Sequence, residues 1–306
     1  IIIIVKWKKI GLFLDNVKLG DWHNSHYSVP VGENLDNEFL KVYLSGRDSK
    51  NRSYTSYVVL DIEKNFDLVE ISEKPVLSPG KNGEFDDSGT MATWIFNTDD
   101  TSYLYYIGWN IGNNVPFRNS IGLATKAIKE KEFNKISNGP ILDRSVFDPA
   151  FVASCCVLKV ENEYFMWYLS SLGWYEKDKV LKSKYNIKLA KSYDLLNWSR
   201  EGVTCIDFEN KEEYAISRPS VIYEDGIFKM WYSVKGENYK IGYAESSDGV
   251  IWNRHDNLVG IKTSNKGWDS EMIEYPHVLK IKSQKFMLFN GNNYGENGFG
   301  IAYYDE

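Results

Sequence analysis

One pattern recurs along the chain and limits what it can fold into. Arg218 to Ser233 reads RPSVIYEDGIFKMWYS: an apolar strand, an acidic turn, and a Met-Trp-Tyr strand that returns. It continues to YKIGYAESSDGVIW, ending at Trp252. The same three-part unit appears in FVASCCVLKVENEYFMWYLSS, which leads through a loop to NIKLAKSYDLLNW. It appears again in GTMATWIFNTDDTSYLYYIGW with SIGLATKAI, and in EYPHVLKIKSQKFMLFNGN with GFGIAYYD. The weakest copy comes first, HYSVPVGENLDNEFLKVYLSGRD followed by SYVVLDIEK. Aligning Ala124, Ala190, Ala244 and Ala302 gives a period of roughly 55–65 residues. Each copy holds three runs of period-2 apolar or aromatic residues, separated by Asn, Asp, Gly and Glu at turns. The segment carrying the chain to the next copy supplies a fourth, outer strand, and helical periodicity is almost absent.

Five such units predict an all-β chain, a five-bladed β-propeller with four-stranded blades around a central channel. The last copy ends at GFGIAYYDE without an outer strand, and WKKIGLFLD precedes the first copy. The N-terminal strand is therefore expected to join the last blade, closing the ring and hiding an edge. Length alone suggests about two domains for 306 residues. The repeat overrides that prior in favour of one domain over 1–306. KPVLSPG and GPILDR read as connectors between blades.

Charge narrows the partners. The net charge is −6, and no basic stripe or Arg-rich arm is visible, so a nucleic-acid partner is not expected. The opening IIIIVKWKKIGLFLD is broken by Lys6, Lys8 and Lys9 and lacks a signal-peptide cleavage pattern, so a strand is expected there and no membrane partner. A cytoplasmic location is the expectation, although an Ile start leaves room for a leader already removed. Cys155, Cys156 and Cys205 have no metal-ligand spacing and read as free buried thiols. No HExxH, Cys/His zinc pattern, phosphate-binding Gly-rich loop or Ser-His-Asp signal is present, so neither metal nor cofactor is expected. The oligomeric state has no signature in the sequence.

The SSDGVIW and SYDLLNW ends, the MWY second strands and the PVL and PIL connectors resemble five-bladed β-propeller glycosidases. The nearest are glycoside hydrolase families 43 and 32 and relatives such as the family 130 mannoside phosphorylases. The resemblance covers essentially the whole chain. It implies a carbohydrate substrate in a funnel at one end of the channel, worked on by acidic residues at the starts of the innermost strands. Family 43 uses an Asp on blade one as base, an Asp on blade two to orient, and a Glu on blade three as acid. Here blade one opens with HNSHYSVP, without that Asp and with His26 in the neighbourhood. Blade two opens with EFDDSGTM, where Asp87 fits. Blade three opens with SVFDPAFVASCCV, which has Asp148 but no Glu on the strand. The family mechanism therefore does not transfer whole.

Glycoside cleavage needs an acid for the leaving oxygen and a base or nucleophile opposite. Asp87 and Glu274 both precede inner strands and are the expected working carboxylates, with Glu271 of the WDSE turn as a further candidate. Arg218 heads an inner strand before a proline, suited to gripping a carboxylate, phosphate or hydroxyl. His26, Asp148 and Arg118 are further expected substrate contacts. Trp109 and Trp174, placed by the repeat in loops around the mouth, would stack on sugar rings. Bond cleavage by funnel carboxylates leads. Phosphorolysis, needing one carboxylic acid and basic helpers, and a non-catalytic glycan-binding propeller stay open beside it.

Overall fold

The computed structural model describes residues 6–305, so most of the opening isoleucine run lies outside the described residues. Those residues are nearly all β. After β1 (Trp7–Phe13), the strands fall into antiparallel groups. The first group is β2 (Ser25–Leu35), β3 (Phe39–Arg47), β4 (Ser53–Asp61) and β5 (Asp67–Ile71). The second is β6 (Gly89–Asn97), β7 (Thr101–Ile111), β8 (Phe117–Ala127) and the short β9 (Asn134–Lys135). The third is β10 (Val152–Val160), β11 (Glu163–Lys177), β12 (Val180–Ser192) and β13 (Ser199–Ile206). The fourth is β14 (Ala215–Glu224), β15 (Ile227–Lys235), β16 (Tyr239–Ser246) and β17 (Asn253–Arg254). In the last, β18 (Glu274–Ile281), β19 (Gln284–Asn290) and β20 (Phe299–Tyr304) are joined by β1, paired from Trp7 opposite Tyr304 to Phe13 opposite Phe299. The first strand of each group, its inner strand, packs beside the inner strand of the next, and β18 lies beside β2.

The quoted repeats recur as geometry. In SYDLLNW, Ser192 and Asp194 cap the turn, and the Trp198 indole donates to the Leu195 carbonyl at 3.2 Å. In SSDGVIW, Ser246, Asp248, Trp252 and the Gly249 carbonyl repeat the arrangement at 3.0 Å. Leu195 has φ +67° where its counterpart Gly249 has +74°. The turn demands the left-handed region that glycine enters freely.

A second device ties inner to outer strands. The Tyr106 hydroxyl donates to Asp86 at 3.2 Å, and Lys135 pairs with the same carboxylate at 2.6 Å. Tyr168 and Arg200 hold Asp148 at 3.0 and 2.8 Å, and Tyr232 and Arg254 hold Asp256, both at 2.5 Å. Each set joins an acid, a phenol and a cation; Asp86 and Asp148 are buried, where cutting one partner costs about 3–5 kcal/mol, while Asp256 is partly exposed.

Between groups the core is aromatic and aliphatic. Trp167, fully buried, donates to the Gly249 carbonyl of the next group at 2.8 Å. Truncating such a side chain costs about 3–5 kcal/mol. Cys155, Cys156 and Cys205 are free and buried, and burial pushes their thiols up, Cys205 to about 12.

Candidate functional site

All the inner strands run the same way. Their heads, at Ser28, Met91, Ser154, Arg218 and Tyr275, line one cavity of about 760 Å³. Their far halves, at Gly32, Trp94, Leu158, Val221 and Leu279, line a smaller recess of about 360 Å³ at the opposite end. The larger cavity has the volume of a small-molecule site.

Each inner strand bulges just past its head. The register slips between Ser28 and Val31, Ala92 and Trp94, Ala153 and Cys155, Ser217 and Ser220, and Glu274 and His277. A bulge re-aims side chains that the strand's alternation would otherwise fix. Val29, Arg218 and Tyr275 sit at φ +56°, +54° and +55°, and all three line the cavity. A β-branched residue there is an outlier, and each such position costs on the order of 1–3 kcal/mol. Side chains on neighbouring strands hold the distortion: Ser154 accepts the Arg218 N–H at 3.0 Å, Ser233 that of Tyr275 at 2.7 Å, and Asn290 that of Val29 at 2.8 Å.

Arg218 forms the floor. Its guanidinium donates to the Pro30 carbonyl of β2 at 2.9 Å and to the Thr93 hydroxyl of β6 at 3.1 Å, and also to the Thr93 carbonyl. With its own N–H on Ser154, this one residue ties four inner strands together. It is 1% exposed, has no carboxylate partner among the described residues, and leaves Nε unbonded. Burial lowers its pKa to about 10, so it stays charged at neutral pH.

Glu274, at the head of β18, is 0% exposed, and neither carboxyl oxygen has a hydrogen-bond partner among the described residues. Burial pushes this carboxyl far above the ordinary range, and the Lys235 charge pulls the other way without overcoming it. Burial thus favours its neutral, protonated form. Ionised, it would oppose ionisation of Tyr185, Tyr239 and Tyr275, which line the cavity and whose phenols burial holds in the protonated form. The Tyr185 and Tyr239 hydroxyls are hydrogen-bonded to each other at 2.6 Å. Lys235, over the Tyr239 ring, donates to the Tyr294 hydroxyl at 2.9 Å.

The other residues expected from the sequence fall into two sets. Trp109 and Trp174 line the cavity, on strands rather than loops, because β7 and β11 stay paired with the following strand as far as Ile111 and Lys177. Trp109 donates to Ser53 at 2.8 Å, and Trp174 packs edge-on against Phe117 with ring centres 5.1 Å apart. Asp87 is at the cavity end of β6 but is turned into its own loop. It accepts from the Gly83 N–H at 2.9 Å, Asn110 at 2.7 Å and Ser88 at 3.0 Å. Burial raises its carboxyl, but these donors outweigh it and leave the pKa below the ordinary value. Asp148 is wholly buried under Tyr168 and Arg200, so its counterpart in the preceding repeat is Asp86 rather than Asp87. Glu271 is exposed in its turn, and only its backbone N–H is bonded there, to Asn292 at 2.9 Å. His26 is half-buried beside Ser25, 2.8 Å away, with its pKa lowered by burial and by Arg47. Arg118 is exposed on β8 between two cavity residues, Phe117 and Asn119, because alternate residues face opposite sides of a strand. Asp87, Asp148, Glu271, His26, Arg118 and Glu274 are not among the cavity-lining residues, whereas Arg218, Trp109 and Trp174 are.

Sequence reasoning missed Tyr185, Tyr239, Tyr275, Lys235, Lys182 and Arg47, all of which line the cavity. One signal was present. Asn119, Tyr185 and Tyr239 each stand five residues before a repeat alanine, at the cavity end of a third strand.

No protein-family profile matches the chain. Solved structures superpose on nearly all of it. A glycoside hydrolase aligns with TM-score 0.72 and 16% identity over 98% of this chain and 92% of that one. A structure from the family 130 mannoside phosphorylases, reported to contain glycoside hydrolases that target β-1,2 mannosidic linkages in Candida mannan, aligns with TM-score 0.69 and 15% identity over 93% and 85%. A thermostable family 43 glycoside hydrolase aligns at 0.63, so the fold neighbours are the β-propeller glycosidases. By sequence, the 1,2-beta-oligomannan phosphorylase of Thermoanaerobacter sp. is 26% identical over 73% of this chain and 71% of its own. The uncharacterized protein Rv1502 of Mycobacterium tuberculosis is 36% identical over 97% of this chain and 98% of its own. By that likeness the chain belongs to the Rv1502 family, whose fold neighbours are propeller glycosidases.

Proposed function

We propose that this protein is a carbohydrate-active enzyme that cleaves or transfers a glycosidic bond, with the sugar held between Trp109 and Trp174 and Glu274 as the proton donor. The observation that carries this reading is Glu274 itself. It is a fully buried carboxyl with both oxygens unbonded, kept protonated beside a cavity of ligand size. A general acid must hold its proton at working pH and release it to the leaving oxygen. The Tyr239 and Tyr185 phenols, hydrogen-bonded to each other, form the cavity wall on its side. With Asp87 engaged in its turn, Glu274 is assigned the acid role alone. The five strand groups are read as five blades of one propeller domain over 1–306, closed where β1 pairs with β20.

Phosphorolysis is favoured over hydrolysis by one further observation: no Asp or Glu is among the cavity-lining residues to activate water. A phosphate oxygen would form the bond to the anomeric carbon as the glycosidic bond breaks, and the Glu274 proton would go to the departing oxygen. The test offers wild type and Glu274→Gln an oligosaccharide panel with and without phosphate. Sugar phosphates appearing only with phosphate support phosphorolysis, and new reducing ends without it support hydrolysis. A loss of roughly 10²–10⁴-fold in the variant supports the acid role. Binding without turnover in either protein would instead select a non-catalytic glycan-binding propeller.

A further inference from the structure

The chain is acidic overall, yet this cavity is not. Arg47, Lys50, Arg52, Lys182, Arg218 and Lys235 line it, and no Asp or Glu does. Among the described residues only Arg52 has a carboxylate within ion-pair distance, Asp48 at 2.8 Å. Arg47 donates to the neutral Asn51 at 2.7 Å, Lys182 lies over the Tyr214 ring, and Lys235 lies over Tyr239 and Tyr294. Arg218 at the floor is buried with Nε unbonded. Uncompensated cations in a concave, partly apolar site repel one another and focus a positive field into it. A contrasting cluster of cations elsewhere is matched by an acid: Glu224 alone serves Lys229, Lys280 and Lys285.

The positions of these cations separate two tasks. Arg218 lies deep, at the floor, and Lys235, at the end of β15, is the cation whose charge reaches Glu274, where bond cleavage is assigned. Arg47, Lys50 and Arg52 come from the β3–β4 hairpin, and Lys182 from the β11–β12 hairpin, so they stand at the rim. One small anion at the reacting centre would not need both sets. Taking the carbohydrate reading as given, we propose that the saccharide is itself anionic, a glycoside bearing a carboxylate or phosphate ester, whose charged group is held by the rim cations Arg47 and Lys182 while the aromatic walls hold its ring. Arg and Lys bind both oxyanion types through charge-assisted hydrogen bonds.

The experiment applies the labelled protein to an array of neutral, uronate-bearing and phosphate-bearing glycans. Calorimetry then follows on each charged hit and its neutral parent, and on inorganic phosphate alone, at about 20 and 200 mM salt. Wild type is compared with the double variant Arg47→Gln, Lys182→Gln, whose side chains are only partly buried. The expected result is a charged sugar binding at least tenfold more tightly than its neutral parent. That advantage should shrink at least fivefold in high salt and in the double variant. The uronate and phosphate-ester arms identify which charged group is taken. Equal binding of charged sugars and neutral parents overturns the proposal and leaves the carbohydrate reading standing. So does a preference for charged sugars that inorganic phosphate reproduces alone and the double variant does not weaken. Failure of every glycan, neutral or charged, to bind overturns both.

Discussion

The sharpest consequence of the site is thermodynamic and needs no substrate. Folded Glu274 keeps its proton over a pH range in which the glutamate of an unfolded chain has already released it. The folded state then binds more protons than the unfolded state, so stability falls as pH rises through that range. The contribution is fully present below the ordinary carboxyl value and gone above the raised, folded one. For one proton the slope is about 1.4 kcal/mol per pH unit between the ordinary and the raised value, so a shift of even one unit is readily measured against a typical net stability of about 5–15 kcal/mol. Gln copies the shape of the neutral acid and cannot ionise. Glu274→Gln should therefore gain on wild type by up to about 1.4 kcal/mol for each unit of rising pH. Urea unfolding of both proteins, followed by tryptophan fluorescence at pH 5, 6 and 7, measures the difference directly. A constant difference across that range would mean that the carboxyl ionises freely, and the reasoning that makes it an acid at neutral pH would be wrong.

Other residues give further tests. Asp148→Asn breaks the buried set with Tyr168 and Arg200 and should cost about 3–5 kcal/mol of stability, while KM of the surviving folded enzyme stays within about twofold of wild type. Arg218→Lys keeps a cation but loses the fork that reaches Pro30 and Thr93; leaving those carbonyls unpaired should lower stability by about 1–3 kcal/mol in thermal unfolding. Trp174→Ala removes a cavity wall and should weaken saccharide binding roughly tenfold, read by calorimetry against any array hit. Asp87→Asn should reduce turnover by less than about tenfold, since its carboxylate is engaged in its own loop; a loss of the size expected for Glu274 would return it to the reacting centre.

The strand pattern was legible because each copy carries its own turn chemistry and its own alternation. Ser192 and Asp194, or Ser246 and Asp248, set a turn whatever packs beside it. The site was less legible because alternation fails where it matters. At the bulges after Ser28, Ala153, Ser217 and Glu274, the side that a residue faces depends on bonds from a neighbouring strand, such as Ser154 to the Arg218 N–H. A sequence read one repeat at a time does not contain those bonds. Asp86 and Asp87 show the limit most plainly. Adjacent in sequence and equally eligible as partners of Asp148, they are separated only by which of them the Tyr106 phenol and Lys135 reach.

The cations make the same point at longer range. Arg47, Lys182, Arg218 and Lys235 are too far apart in the chain to form a basic stripe, and a net charge of −6 hides them. The fold gathers them because the inner strands are parallel to one another, which brings every inner-strand head and the hairpin tips beside it to one end. In such an arrangement net charge describes the outer surface, and the charge of the site is set by a few positions repeated once per strand group. At the inner-strand heads of the first, third and fourth groups this chain has Ser28, Ser154 and Arg218, and burial favours the neutral form of the acid at the head of the last, Glu274. Hydroxyls and a cation at those heads leave the floor of the cavity positive. On the proposed reading of an anionic saccharide, the negative charge arrives with the ligand.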